Sequence, residues 1–192
     1  DWSTPLGSVR THRTFAQDLV KKTGLSTEPI AHQQEHSIEV QLPFLQFASK
    51  DRLEKLKIVG IALRTPDKVQ SIARNLTEIS KKRDLKICVI ASSDFTHFGP
   101  RFDYVPFRYN IKENINHLDT EAIDKIRSKD YQGFMKFIRD NQATICGFIP
   151  IAVMMETFKD QAEKIRLLQY YTSGDITGDY ENSVSYASLL FV

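Results

Sequence analysis

Three consecutive segments between residues 56 and 91 constrain this chain most. Leu56 to Leu63 is short and nearly continuously apolar, the pattern of a strand covered on both faces. Pro66 then opens a stretch in which Val69, Ile72, Ala73, Leu76 and Ile79 recur at helical spacing, and a proline is tolerated in a first helical turn because that N–H has no intrahelical partner. Leu85 to Ala91 (Leu-Lys-Ile-Cys-Val-Ile-Ala) is the strongest strand pattern in the sequence. Strand, amphipathic helix and strand in this order predict an α/β layered fold with a mixed central sheet flanked by helices. A chain of 192 residues buries about 70% of the surface its unfolded form exposes, so its core needs no disulfide or structural metal.

The remaining segments fit the same plan. His12 to Lys22 reads as a helix with Phe15, Leu19 and Val20 on one face and Gly24 as its stop. Glu35 to Phe47 carries two apolar stripes, Ile38-Leu42-Leu45 and Val40-Phe44-Phe47, which predicts a buried helix bent or interrupted at Pro43. Tyr109 to Asn141 is charged and mostly helical, with breaks expected near Asp119 and Lys129. Gly147 to Phe158 reads as a further helix, and Leu167 to Tyr171 and Ser183 to Val192 as strands. There is no internal repeat, low-complexity segment or linker, so residues 1–192 read as one domain.

Lys plus Arg number 26 against 24 Asp plus Glu, a net charge of +2, which gives no reason to expect a nucleic-acid partner. No run approaches the roughly 18 apolar residues of a membrane span. The two cysteines, Cys88 and Cys146, do not make a disulfide framework, so a reducing, cytoplasmic setting is expected. Cys88, inside the Leu85–Ala91 run, is expected in the core. The chain opens on Asp1-Trp2-Ser3-Thr4-Pro5-Leu6-Gly7, a strand edge or turn with no signal-like region, so either a preceding segment has been cut away or the gene product is unusually short.

Four polar clusters offer chemistry. Ser92-Ser93-Asp94-Phe95-Thr96-His97-Phe98-Gly99 follows the strongest strand pattern, where α/β sheets place ligands. It supplies hydroxyls, a carboxylate and a proton carrier that titrates near neutrality; an ordinary polar turn is the simpler alternative. Thr144-Ile145-Cys146-Gly147-Phe148-Ile149-Pro150 sets a cysteine just before a helix, where free N–H groups favour the thiolate; a small buried residue packed close beside a glycine is the simpler reading of these residues alone. His32-Gln33-Gln34-Glu35-His36 matches the H-x-x-E-H pattern of a zinc peptidase, but the pattern needs a helix through both histidines, and Pro29 lies close before them. Tyr170-Tyr171-Thr172-Ser173-Gly174-Asp175 ends a strand in a loop of the kind that rims a pocket, or in a plain turn. No glycine-rich nucleotide cradle and no G-x-S-x-G elbow is present.

Taken in order, the chain resembles the Memo family, also known as AmmeMemoRadiSam system protein B. The resemblance rests on Thr4-Pro5-Leu6-Gly7, on Glu35-His36-Ser37-Ile38-Glu39 with Leu42-Pro43, and on Ser92-Ser93-Asp94-Phe95-x-His97-x-Gly99. It continues through His117-Leu118-Asp119, Thr144-Ile145-Cys146-Gly147 with Pro150, and Asn182-Ser183-Val184-Ser185-Tyr186-Ala187. It implies a fold similar to class III extradiol dioxygenases of the LigB type, which use non-haem iron. It also implies a metal site of two histidines and a cysteine, with Cys146 as the matching ligand. His97 would be the pocket acid/base and Asp94 a pocket carboxylate or orienting group. Ser92, Ser93, Glu35, His36, Arg101 and Asp175 would line or support the pocket. The two ligand histidines of the family lie in a His-Ala-Gly-Tyr and a Gly-Pro-Ser-His motif that do not occur here, so the N-terminal third of the family pattern, with its first strands and helix, is expected to be missing.

Two functions follow from the resemblance. One is a metal-dependent redox or dioxygenase-like enzyme using iron or copper, its site incomplete in this chain and its substrate unknown. The other is a non-catalytic adaptor that holds a phosphotyrosine-type peptide or another small ligand in the same pocket. Association with a radical S-adenosylmethionine protein is a further expectation.

Overall fold

The computed structural model describes residues 1–33 and 35–192. It is an α/β protein whose strands fall into two three-stranded sheets, carried by two compact units, Asp1–Ser92 and Ser93–Val192.

In the first unit, β1 (Trp2–Thr4) and β2 (Gly7–Thr11) form an antiparallel hairpin, and β2 pairs in parallel with β3 (Lys57–Ile58). The Thr4-Pro5-Leu6-Gly7 turn is held by Gln46, which is almost fully buried. Gln46 accepts from the Thr4 hydroxyl at 2.5 Å and donates to the Leu6 and Gly7 carbonyls. Helix α1 (Arg13–Thr23) begins at His12, whose ring nitrogen accepts from the Phe15 N–H, and ends at Gly24 in the left-handed conformation. After the four-residue helix α2 (Ile30–Gln33), helix α3 (Leu42–Ala48) starts with Pro43 in its first turn. Helix α4 (Val69–Lys82) buries all five apolar residues of its stripe and packs on α1. Ion pairs Lys22–Glu78 and Asp18–Arg83 flank that contact.

In the second unit, β4 (His97–Phe98), β6 (Ser183–Phe191) and β5 (Ile165–Thr172) form an antiparallel sheet with β6 central. His97 is opposite Val184 and Tyr171 opposite Tyr186. Helices α5 (Ile111–Arg127), α6 (Tyr131–Asp140) and α7 (Phe148–Phe158) accompany it, and a short α8 (Ser173–Thr177) joins β5 to the return toward β6. The core is built from Phe95, Phe98, Ile115, Phe134, Ile145 and Met155, each at most 2% exposed and each worth about 1.5–3 kcal/mol of burial. Gly99, at the end of β4, has φ +123, and a Cβ there would stand 2.1 Å from the Glu181 carbonyl oxygen. Only glycine lets the chain turn this close to the segment entering β6.

Several expectations are corrected. The Leu56–Leu63 run pairs only at Lys57–Ile58, and Leu85–Ala91 has no ladder partner among the described residues. A continuous apolar run encodes tolerance of burial, whereas a strand requires a partner, and the partner is not written in the run itself. Residues 85–91 therefore alternate between half-buried and exposed, and Cys88 is exposed, not in the core. The Glu35–Phe47 segment is not one buried helix: a 3₁₀ turn, Glu39–Gln41, precedes α3, Leu42 is buried, and Val40, Phe44 and Phe47 are exposed. The break expected near Asp119 is absent. That residue lies inside an uninterrupted α5, whereas the break expected at Lys129 is present, with φ +57.

Candidate metal centre

Three side chains of the second unit converge. A carboxylate oxygen of Asp94, a ring nitrogen of His97 and the sulfur of Cys146 all lie within 4.8 Å of one another. Asp94 Oδ2 and His97 Nε2 are 3.6 Å apart. Asp94 lies just before β4, His97 is its first residue, and Cys146 immediately precedes Gly147, the N-cap of α7. The cluster therefore lies where an edge strand and a helix start meet.

Hydrogen bonds decide which histidine nitrogen is available. His97 Nδ1 lies 3.0 Å from the Phe95 carbonyl and 2.9 Å from the Thr144 carbonyl. Both groups only accept, so in the neutral ring the proton resides on Nδ1 and Nε2 carries the lone pair, directed toward Asp94. Thr144 adds a two-way clamp: its hydroxyl accepts from the His97 N–H at 2.9 Å and donates to the His97 carbonyl at 3.0 Å. The backbone around the ring is thus fixed to the segment that carries Cys146, two residues on.

The sulfur is held comparably. Asp94 N–H donates to Cys146 Sγ at 3.2 Å, and the Ser93 hydroxyl lies 3.8 Å from the same atom. The Ser93 oxygen also accepts from the Gly147 N–H at 2.9 Å. The sulfur thus faces a backbone N–H donor beside the start of α7. Cys146 is exposed, so the sulfur is open to an incoming group.

The donor set fits a transition metal. Two ligands each about 2.0–2.3 Å from an ion are at most roughly 4.4 Å apart, so small side-chain rotations close this cluster. Thiolate, imidazole and carboxylate suit iron, copper or zinc and disfavour magnesium and calcium, which take all-oxygen sites. Tyr186 of β6 is paired with Tyr171 of β5 at 5.3 Å between ring centroids. Burial first, then the Asp94 charge and Tyr171, push the Tyr186 phenol pKa up, so it stays protonated.

The family model for Memo-like proteins matches residues 1–190. The chain belongs to the Memo family. A MEMO1 family protein of Desulfurococcus amylolyticus is 37% identical over 191 residues, covering 99% of this chain and 63% of the relative. One of Sulfurisphaera tokodaii is 35% identical over 192 residues, with the same two coverages. One of Pyrococcus horikoshii is 34% identical over 197 residues, covering 99% of this chain and 68% of the relative. The chain thus spans about 63% of the length of the first two Memo relatives.

The other residues singled out from the Memo pattern are not among the three donors. Ser92 accepts from the Gln41 side chain at 3.1 Å within the first unit. Glu35 accepts from the Ser37 N–H at 2.7 Å, which with the Ser37 hydroxyl holds its carboxyl below the usual range, and His36 is exposed. The helix required by the H-x-x-E-H pattern ends at Gln33, Gln34 lies outside the described residues, and Glu35 and His36 are not helical. The zinc-peptidase reading therefore fails. Arg101 lies in a 3₁₀ turn with its N–H on Asn182 Oδ1. Asp175 completes the capping box of α8 with Thr172 and also takes Tyr180 and Lys112. Thr144, Asp119 and Tyr186 were given no role from sequence. For Asp119 a signal existed: it interrupts the apolar stripe Ile115, Ala122, Ile123, Ile126 of α5. No described helix is long and apolar enough to cross a membrane.

Proposed function

We propose that this Memo-family protein is a metal-dependent redox protein of dioxygenase-like character, with iron or copper held by Cys146, His97 and Asp94. The observation that carries the reading is the convergence of three donor atoms of different softness within 4.8 Å, on side chains whose backbones are fixed to one another. This differs from the ligand set that the resemblance implies, in which Cys146 joins two histidines of motifs that do not occur in this sequence. Here Asp94 and His97 complete the set from within the chain.

Iron or copper at such a site supplies one-electron redox change and Lewis acidity. The remaining work falls to the protein. His97 offers Nε2 because two carbonyls hold the proton on Nδ1, the arrangement that orients metal-binding histidines. Asp94 acts twice, its N–H donating to the Cys146 sulfur and its carboxylate facing His97. The exposed side of Cys146 leaves an approach for a substrate.

The test is anaerobic loading with Fe(II) or Cu(I), elemental analysis of the bound metal, and oxygen consumption with a reductant. About one ion per chain is expected in the parent protein, with loss in Cys146→Ser and His97→Ala. Equal metal content in the parent and Cys146→Ser removes the reading. Stoichiometric metal without oxygen consumption removes its redox part and leaves a metal-binding protein.

A further inference from the structure

The buried carboxylate of Asp119 stands one layer behind the metal cluster. It is fully buried on α5, on a face otherwise lined by Ile115, Ala122, Ile123 and Ile126. A carboxylate there is costly unless it is well supplied with donors, and the same face filled with an aliphatic side chain would serve packing alone. Its partners show what it holds. Oδ1 accepts from the Thr96 N–H at 3.2 Å and from the Thr96 hydroxyl at 2.7 Å. Oδ2 accepts from the Tyr170 hydroxyl of β5 at 2.7 Å. Ser185 of β6, a buried hydroxyl without a fully formed hydrogen bond, lies beside the same group. One carboxylate thus gathers the segment entering β4 together with β5 and β6.

Thr96 lies between the two residues that matter. Its carbonyl joins β6 by accepting from the Ser185 N–H at 2.9 Å, which leaves its N–H and hydroxyl to Asp119. Phe95, just before it, supplies one of the carbonyls that hold the His97 Nδ1 proton. His97, just after it, is clamped by Thr144. Fixing Thr96 therefore fixes both the ring and the acceptor that sets its tautomer.

We propose that Asp119 is a positioning residue for the metal centre. Through Thr96 it locks the 95–97 backbone so that His97 presents an unprotonated Nε2 toward Asp94 and Cys146. The inference rests on the reading of that cluster as a metal site, but its tautomer part concerns the metal-free protein and is tested separately.

The experiment compares the parent chain with Asp119→Asn, Thr96→Val and Thr96→Ser. Asparagine keeps the shape of Asp119 and valine that of Thr96, while serine retains the hydroxyl. In metal-free protein at pH 8, ¹⁵N imidazole shifts report the His97 tautomer. The parent and Thr96→Ser are expected to show the Nδ1–H form alone; Asp119→Asn and Thr96→Val should show the Nε2–H form appearing. Titration with Co²⁺, followed by the sulfur-to-cobalt absorption band, should give dissociation constants about tenfold or more weaker in those two variants. Near-parent binding is expected in Thr96→Ser. Folded variants with the parent tautomer and affinity overturn the proposal, because a residue that only supports the fold would lower the melting temperature and move neither readout. If Asp119→Asn does not fold, Thr96→Val decides. If the parent chain gives no thiolate–cobalt band, the metal reading fails on its own, and the tautomer comparison still decides what Asp119 does.

Discussion

Residues 32–36 and 94–97 each bring histidine and a carboxylate together within a few positions, yet they have different fates. In the first stretch the contacts stay local or incidental. His32 meets the edge of the Trp2 ring with 5.6 Å between centroids, Glu35 turns back onto Ser37 two residues away, and His36 is exposed. In the second, residues distant in sequence take hold of the backbone: Thr144 grips His97, Asp119 grips Thr96, and Ser185 pairs with Phe95 and Thr96. A metal-binding histidine needs its ring orientation and tautomer fixed from outside its own segment, and among the described residues of these two stretches only the second meets that condition.

That contrast can be broken by experiment. The largest effect is expected from replacing the two histidines: His97→Ala should weaken Co²⁺ binding by at least about 1,000-fold, whereas His36→Ala should leave it unchanged. Comparable losses by titration in both would erase the distinction. Next come two glycines in unlike surroundings. Gly99→Ala should cost about 3 kcal/mol or more, because its Cβ would meet the Glu181 carbonyl, whereas Gly7→Ala has φ +103 but open space around it and should cost about 1–2 kcal/mol. Urea denaturation of both variants reads the difference. A smaller effect attaches to the clamp. Thr144→Val should weaken metal binding about tenfold and Thr144→Ser should restore it; equal affinities in all three proteins would show that the two backbone bonds do not matter.

The smallest effect distinguishes two carboxylates within the second unit. Burial raises the Asp119 pKa against the donors Thr96 and Tyr170. Between the unfolded value and that raised one the folded state retains a proton the unfolded state has lost, so stability falls as pH rises, by at most about 1.4 kcal/mol per pH unit. Asp175 is the opposite case: Tyr180, Lys112 and the Thr172 N–H hold its carboxyl well below the usual range. Its contribution is present above the unfolded pKa and is lost as pH falls. Urea midpoints between pH 3 and pH 7 should therefore move in Asp119→Asn's favour with rising pH and against Asp175→Asn. Parallel curves for the two variants would contradict these assignments.

Local and periodic features are legible in the order of residues alone. The α1 helix with its Gly24 stop, the five-residue stripe of α4, the start of α7 at Gly147 and the strands β5 and β6 follow from apolar spacing and from what Gly and Pro permit. Asp94, His97 and Cys146 stand out in the same way, because each follows or precedes an element end where polar side chains gather.

Partnership is what the sequence alone left undecided. An apolar run does not carry the identity of its neighbour, which is why Leu85–Ala91 reads as a strand and is unpaired here, and why Phe44 and Phe47 read as core and are exposed. The same holds for Asp119, whose carboxylate is explained only by donors 23 and 51 residues away. Hydrogen bonds and packing contacts act over a few ångströms in space, and chain distance places almost no limit on them. Residue type and spacing therefore determined which side chains could bind a metal, and the tertiary fold determined which of them meet.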